Sequence, residues 1–124
     1  MSQVSTDNVG HVNWGQSPDR PANAKPTLGA FTSTWGASGT SITGDDTAGS
    51  VAFTAGATPA AGSVVTVTFA NEYASTPRAV LVQGQATDSS AGDIFDATWT
   101  AAGFTIIAAA GATKSYVVKY FVVW

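Results

Sequence analysis

The chain has 124 residues, enough for one domain with a hydrophobic core of its own. Only 10% of the residues are charged and the net charge is −3, while the five cations (Arg20, Lys25, Arg78, Lys114 and Lys119) are scattered, so the basic patch that a nucleic-acid partner needs is missing. The absence of Cys excludes disulfides and thiolate metal sites, and no apolar stretch approaches the length of a membrane-spanning helix. The opening Met1-Ser2-Gln3-Val4-Ser5 has neither a basic nor an apolar region, so no signal peptide is expected.

Residues 1–27 read as an extended N-terminal arm. Polar residues dominate there, and Pro18, Pro21 and Pro26 break any regular element. His11 and Trp14 interrupt the polar run. A Trp is costly to leave in water, so Trp14 either packs back on its own domain or docks the arm on a partner, with His11 beside it.

From residue 28 to 124 the pattern has period two, the mark of half-buried strands. Val51 and Phe53 share a face, as do Val65, Val67 and Phe69. Val80 and Val82 stand opposite Leu81 and Gln83. Phe95, Ala97 and Trp99 share a face, and Phe104 and Ile106 another. The expected core contains Val67, Phe69, Leu81, Phe104 and Ile106. Gly, Pro, Asn, Asp and Ser clusters separate these runs at short intervals, and the Ala residues sit in loop-like runs such as Thr58 to Gly62. The fold class expected is all-β: an antiparallel β-sandwich preceded by the arm.

The last strand, Ser115 to Trp124, is apolar on both faces. Tyr116, Val118, Tyr120, Val122 and Trp124 lie on one, and Val117, Lys119, Phe121 and Val123 on the other. A strand of that kind needs cover on both sides. The cover is a loop, the arm or a second subunit. Tyr116, Tyr120 and Trp124 are therefore the candidates for a homo-oligomer contact.

Catalytic apparatus is weak. The sole His, His11, lies in the arm, away from any nucleophile it could serve. Glu72 stands at a strand-to-turn corner and Asp88, Asp93 and Asp96 lie in or near a later loop, with no feature that marks a catalytic carboxylate pair. Asp45-Asp46 and the 88–93 segment lack a dedicated calcium spacing, and Asp at such places starts turns by bonding its own backbone. There is no phosphate loop and no dinucleotide fingerprint, so neither an enzyme nor a cofactor is expected.

The run Asp46-Thr47-Ala48-Gly49-Ser50-Val51-Ala52-Phe53-Thr54-Ala55-Gly56 resembles the opening of a β-sandwich module of tailed-bacteriophage virion proteins. The likeness continues through Val65-Thr66-Val67-Thr68-Phe69, Tyr73 to Pro77, the strand from Arg78, Gly103-Phe104-Thr105-Ile106 and the aromatic last strand. The strand pattern is also similar to the H-type lectin sandwich, which forms trimers. The resemblance covers residues 40–124 and implies a non-enzymatic virion protein, assembled in the host cytoplasm and carried on the capsid or tail surface. No sugar-contact residue of the lectin pattern can be matched position by position. With no shaft in the chain, a capsid decoration or cement protein is expected, bound to the major capsid protein or other virion proteins through the arm and trimer contacts. The alternative is a tail-fibre or spike tip that binds host surface glycans.

Overall fold

The computed structural model describes residues 24–86, 95–109 and 113–124. His11, Trp14 and the arm as far as residue 23 lie outside them, as do Asp88 and Asp93. Residues 24–27 belong to the folded body rather than to an arm. The Ala24 carbonyl accepts the Asp46 N–H at 2.8 Å, Pro26 is buried, and Thr27 pairs with Thr68.

Every regular element among the described residues is a strand. In chain order they are β1 (Thr27–Leu28), β2 (Ser38–Gly44), β3 (Ala48–Thr54), β4 (Gly62–Thr68), β5 (Ala79–Ala86), β6 (Phe95–Trp99), β7 (Gly103–Ala108) and β8 (Ser115–Val123). They form two four-stranded sheets with the orders β1-β4-β7-β6 and β2-β3-β8-β5. All pairings are antiparallel, and the sheets face each other as a sandwich over one apolar core.

The expected alternation sets most of the faces. In β4, Val65 and Val67 are buried while Thr66 and Thr68 are exposed. A register shift between Ser63 and Val65 also turns Val64 inward, so two consecutive valines enter the core. In β6, Phe95 and Ala97 point in while Asp96 and Thr98 point out. Val67, Phe69, Phe104 and Ile106 are all buried.

Leu81, expected in the core, is 57% exposed. β5 pairs with β8 so that Val80 lies opposite Val122 and Val82 opposite Tyr120, both core residues of β8. The pleat then turns Leu81 outward, opposite Phe121. In a Val-Leu-Val run both faces are apolar, and the partner strand decides which one is inside.

The aromatic side chains gather at the two ends of the core. At one end Trp35 lies edge-on to Phe53 and Tyr116, at 5.8 and 5.9 Å between ring centroids. Its Nε1–H donates to the Ala60 carbonyl at 2.9 Å, so a fully buried indole keeps its hydrogen bond. At the other end Phe104 packs on Tyr120 at 5.0 Å and Phe69 on Tyr73 at 4.9 Å. Each such ring contributes roughly 1.5–3 kcal/mol by leaving water. Gly84 makes room for the Phe95 ring where β5 faces β6, because a Cβ there would run into that ring.

Outer faces that carry few charges are finished with hydroxyl pairs. Thr43 bonds Ser50 at 2.9 Å, Thr54 bonds Ser115 at 2.8 Å, and Thr66 bonds Thr105 at 2.9 Å. Each pair consists of register partners on adjacent strands, where such contacts stabilise a sheet by a few tenths of a kcal/mol to about 1 kcal/mol.

Candidate interaction surfaces

β8 sits between β3 and β5, so its Tyr-Val face is the core face of the sheet. Tyr116 and Tyr120 are only 1% and 3% exposed within a single chain. They therefore offer no contact to another subunit while the sandwich is closed, and their place as oligomer candidates passes to the opposite side of the strand. Trp124 is half-buried and stacks on Tyr73 at 5.0 Å with 22° between ring planes.

The outward face of β8 carries Val117, Lys119, Phe121 and Val123. Phe121 is 38% exposed and lies between Ala48 on β3 and Leu81 on β5 in the register. Leu81 and Phe121, with Gln83 and Lys119, border a shallow hollow of about 290 Å³. Both are exposed large apolar side chains, they are direct cross-strand neighbours, and Lys119 is the charge beside them.

A second hollow lies at the end of the sandwich where β8 finishes. It measures about 270 Å³ and is lined by Ser75, Thr76, Arg78 and Trp124. A third, also about 270 Å³, runs over the outer face of β4, β6 and β7 between Thr66, Thr68, Thr98, Thr100 and Thr105. Trp99 lines it beside these hydroxyls, and no charged group does.

Asp45 and Asp46 close the β2–β3 turn, and their carboxylates are occupied by backbone donors. Asp45 Oδ1 accepts the N–H groups of Thr47 and Ala48 at 2.8 and 3.0 Å, the local bonding expected of a turn Asp. Asp46 does something the sequence did not signal. Its carboxylate is fully buried and reaches across the sandwich to the β4–β5 loop. Oδ1 accepts Ala70 N–H at 2.8 Å and Oδ2 accepts Asn71 N–H at 2.9 Å. Bonds from a charged acceptor are the stronger kind, roughly 1.5–3 kcal/mol each. Tyr120 completes the corner by donating its phenol hydrogen to the Asp45 carbonyl at 2.6 Å. Burial, followed by the nearby Asp45 and Asp46 carboxylates, pushes that phenol well above its ordinary pKa.

Glu72 is exposed in the same loop. Among the described residues no group of three Asp, Glu, His or Cys is gathered to hold a metal ion.

No protein-family model matches this chain, and neither a curated protein nor a solved structure matches it.

Proposed function

We propose that this chain is a non-enzymatic structural protein of a bacteriophage virion, a capsid decoration or cement module that works by self-association and docking. The observation that carries the reading is the Leu81–Phe121 pair. Two large apolar side chains stand side by side on an open sheet face, in a domain that leaves few others in water. A patch of that kind is what an assembly contact uses, because exposed apolar surface gains by leaving water and buried aromatic anchors carry much of an interface's energy. The smaller neighbours Ala48 and Val123 let a second copy approach closely, with Lys119 left at the edge of the contact. The trimer implied by the family resemblance is the oligomer assigned to this contact.

The arm supplies attachment to the particle, with Trp14 and His11 as its docking residues. At about 3.3 Å per residue, the segment before Ala24 is long enough to cross a subunit boundary. The occupied carboxylates of Asp45 and Asp46 are consistent with a scaffold role, since both act as backbone acceptors. Removal of residues 1–23 tests the attachment, because the cut spares the Ala24–Asp46 bond and β1. The truncated protein is expected to keep its melting temperature and to lose cosedimentation with virions. Full decoration by the truncated protein would move attachment onto the sandwich.

A second reading, a fibre or spike tip that binds host glycans, is favoured by one specific observation: the hollow that brings an indole, a guanidinium and two hydroxyls together. Labelling of intact virions with an antibody against the sandwich separates the two, with label on the capsid for decoration and on the tail for a tip.

A further inference from the structure

The β4–β5 loop has no regular secondary structure between Thr68 and Ala79, yet it is fastened at both ends, over residues 69–73 and 77–78. Phe69 and Tyr73 donate their N–H groups to the carbonyls of Ala102 and Ala101, each at 2.9 Å. Ala70 and Asn71 donate to the Asp46 carboxylate. The Tyr73 phenol donates to the Asp46 carbonyl at 3.0 Å, Trp99 Nε1–H to the Pro77 carbonyl at 2.9 Å, and Arg78 N–H to the Val123 carbonyl at 2.8 Å. Fastening on both sides leaves residues 74–76 as a short span that carries its exposed side chains between two held points. The exposed side chains of the loop include Ser75, Thr76 and Arg78, and none of the three makes a side-chain hydrogen bond or ion pair to another described residue.

Trp124 forms the remaining wall. One side of its indole is covered by Tyr73, which is itself buried and edge-on to Phe69. The ring is therefore held still while part of it stays in water. The result is a half-buried indole, a guanidinium that makes no ion pair with a described residue and two hydroxyls around one hollow of about 270 Å³. Pockets for drug-sized ligands run about 300–1,000 Å³, so this one suits a single ring unit.

We propose that this hollow is a saccharide-binding site and that it takes a sugar unit carrying a carboxylate. It rests on the second reading above, the glycan-binding tip, and names the site and ligand class for it. A pyranose ring has a face of C–H groups that lies flat on an indole, where apolar contact and the negative ring face both favour it. The Arg78 guanidinium has the planar two-donor geometry that matches a carboxylate. Ser75 and Thr76 can each donate and accept, which suits the alternating needs of sugar hydroxyls. Fixing the Trp124 wall and the base of Arg78 beforehand lowers the ordering cost that weakens most sugar contacts.

The test uses the full chain and an array that carries uronate- and sialate-terminated glycans beside their neutral counterparts. Calorimetry of the best ligand against variants follows. The expected result is selective binding of carboxylated sugars, weakened about ten-fold or more by Arg78→Gln. Arg78 is exposed, so that variant should melt like the parent. Trp124→Leu should also weaken binding. Because that change disturbs the Tyr73 stack, Thr76→Ala serves as a second probe that leaves the wall intact. Binding that is indifferent to both Arg78→Gln and Thr76→Ala overturns the site while leaving the glycan reading in place. Binding of neutral glycans alone overturns the carboxylate assignment. Absence of binding to any glycan on the array removes both the site and the reading it rests on.

Discussion

Tyr120 ties together three parts of the molecule that are distant in sequence. Its ring packs on Phe104 in the core, its hydroxyl crosses Gly49, and its hydrogen goes to the Asp45 carbonyl. Gly49 is required there, since a Cβ would lie 2.6 Å from the phenol oxygen. Loss of the hydroxyl hydrogen would break that bond and set an anion beside two carboxylates, so folding holds the phenol neutral. The folded pKa lies above the unfolded value of 10.0. The stabilisation is therefore complete below about pH 10 and declines as the pH rises further, because only the unfolded chain then gains from ionisation. Tyr120→Phe should lower stability by about 1 kcal/mol at neutral pH. The gap between parent and variant, read from urea midpoints across alkaline pH, should narrow above pH 10. A gap that is constant across that range would contradict the assignment.

At the scale of elements, the contact where β5 faces β6 depends on a missing side chain. Gly84 faces inward on β5 and the Phe95 ring occupies the space that its Cβ would fill. Gly84→Ala should cost roughly 1–3 kcal/mol through overpacking, seen as a lower melting temperature. An unchanged melting temperature would show that β5 can shift away from the ring. The two strands also mark how far sequence reasoning reaches. β4, β6 and β8 were legible because polar Thr, Asp or Lys alternates with large apolar residues for at least part of each run. β5 was placed correctly but its Leu81 was assigned to the wrong side: Val80, Leu81 and Val82 are apolar on both faces, and only Gln83, two residues on from Leu81, marks the outside. β2 went unread because its single buried side chain is Ile42, set among Gly, Ser and Thr. Trp35 was missed as a core centre because it comes from a turn, where periodicity has no meaning. Asp46 read as a turn former, which is correct for Asp45 alone. Its bond to Ala70 and Asn71 depends on how the two sheets close, and no local pattern encodes that.

For the whole molecule, the decisive matter is which surface is left over once the core is complete. The aromatic face of β8 is consumed inside one chain, so the need for cover that the sequence implied is met there by the opposite sheet. What remains is the outer face, where Phe121 and Leu81 meet in register. The hollow at Trp124 was equally invisible in the sequence, because Ser75, Thr76 and Arg78 reach Trp124 only through the pairing of β5 with β8. On the reading proposed above, the Leu81–Phe121 face joins copies of this chain. The most direct measurement is the solution mass of the full chain by sedimentation velocity, run beside the double variant Leu81→Ser, Phe121→Ser. The parent should sediment as an oligomer, three times the 12.5 kDa chain mass for the trimer. The double variant should sediment as a folded monomer, with a melting curve that shows an intact sandwich. A parent that remains at 12.5 kDa across the concentration range, or a double variant that stays oligomeric, would contradict the claim.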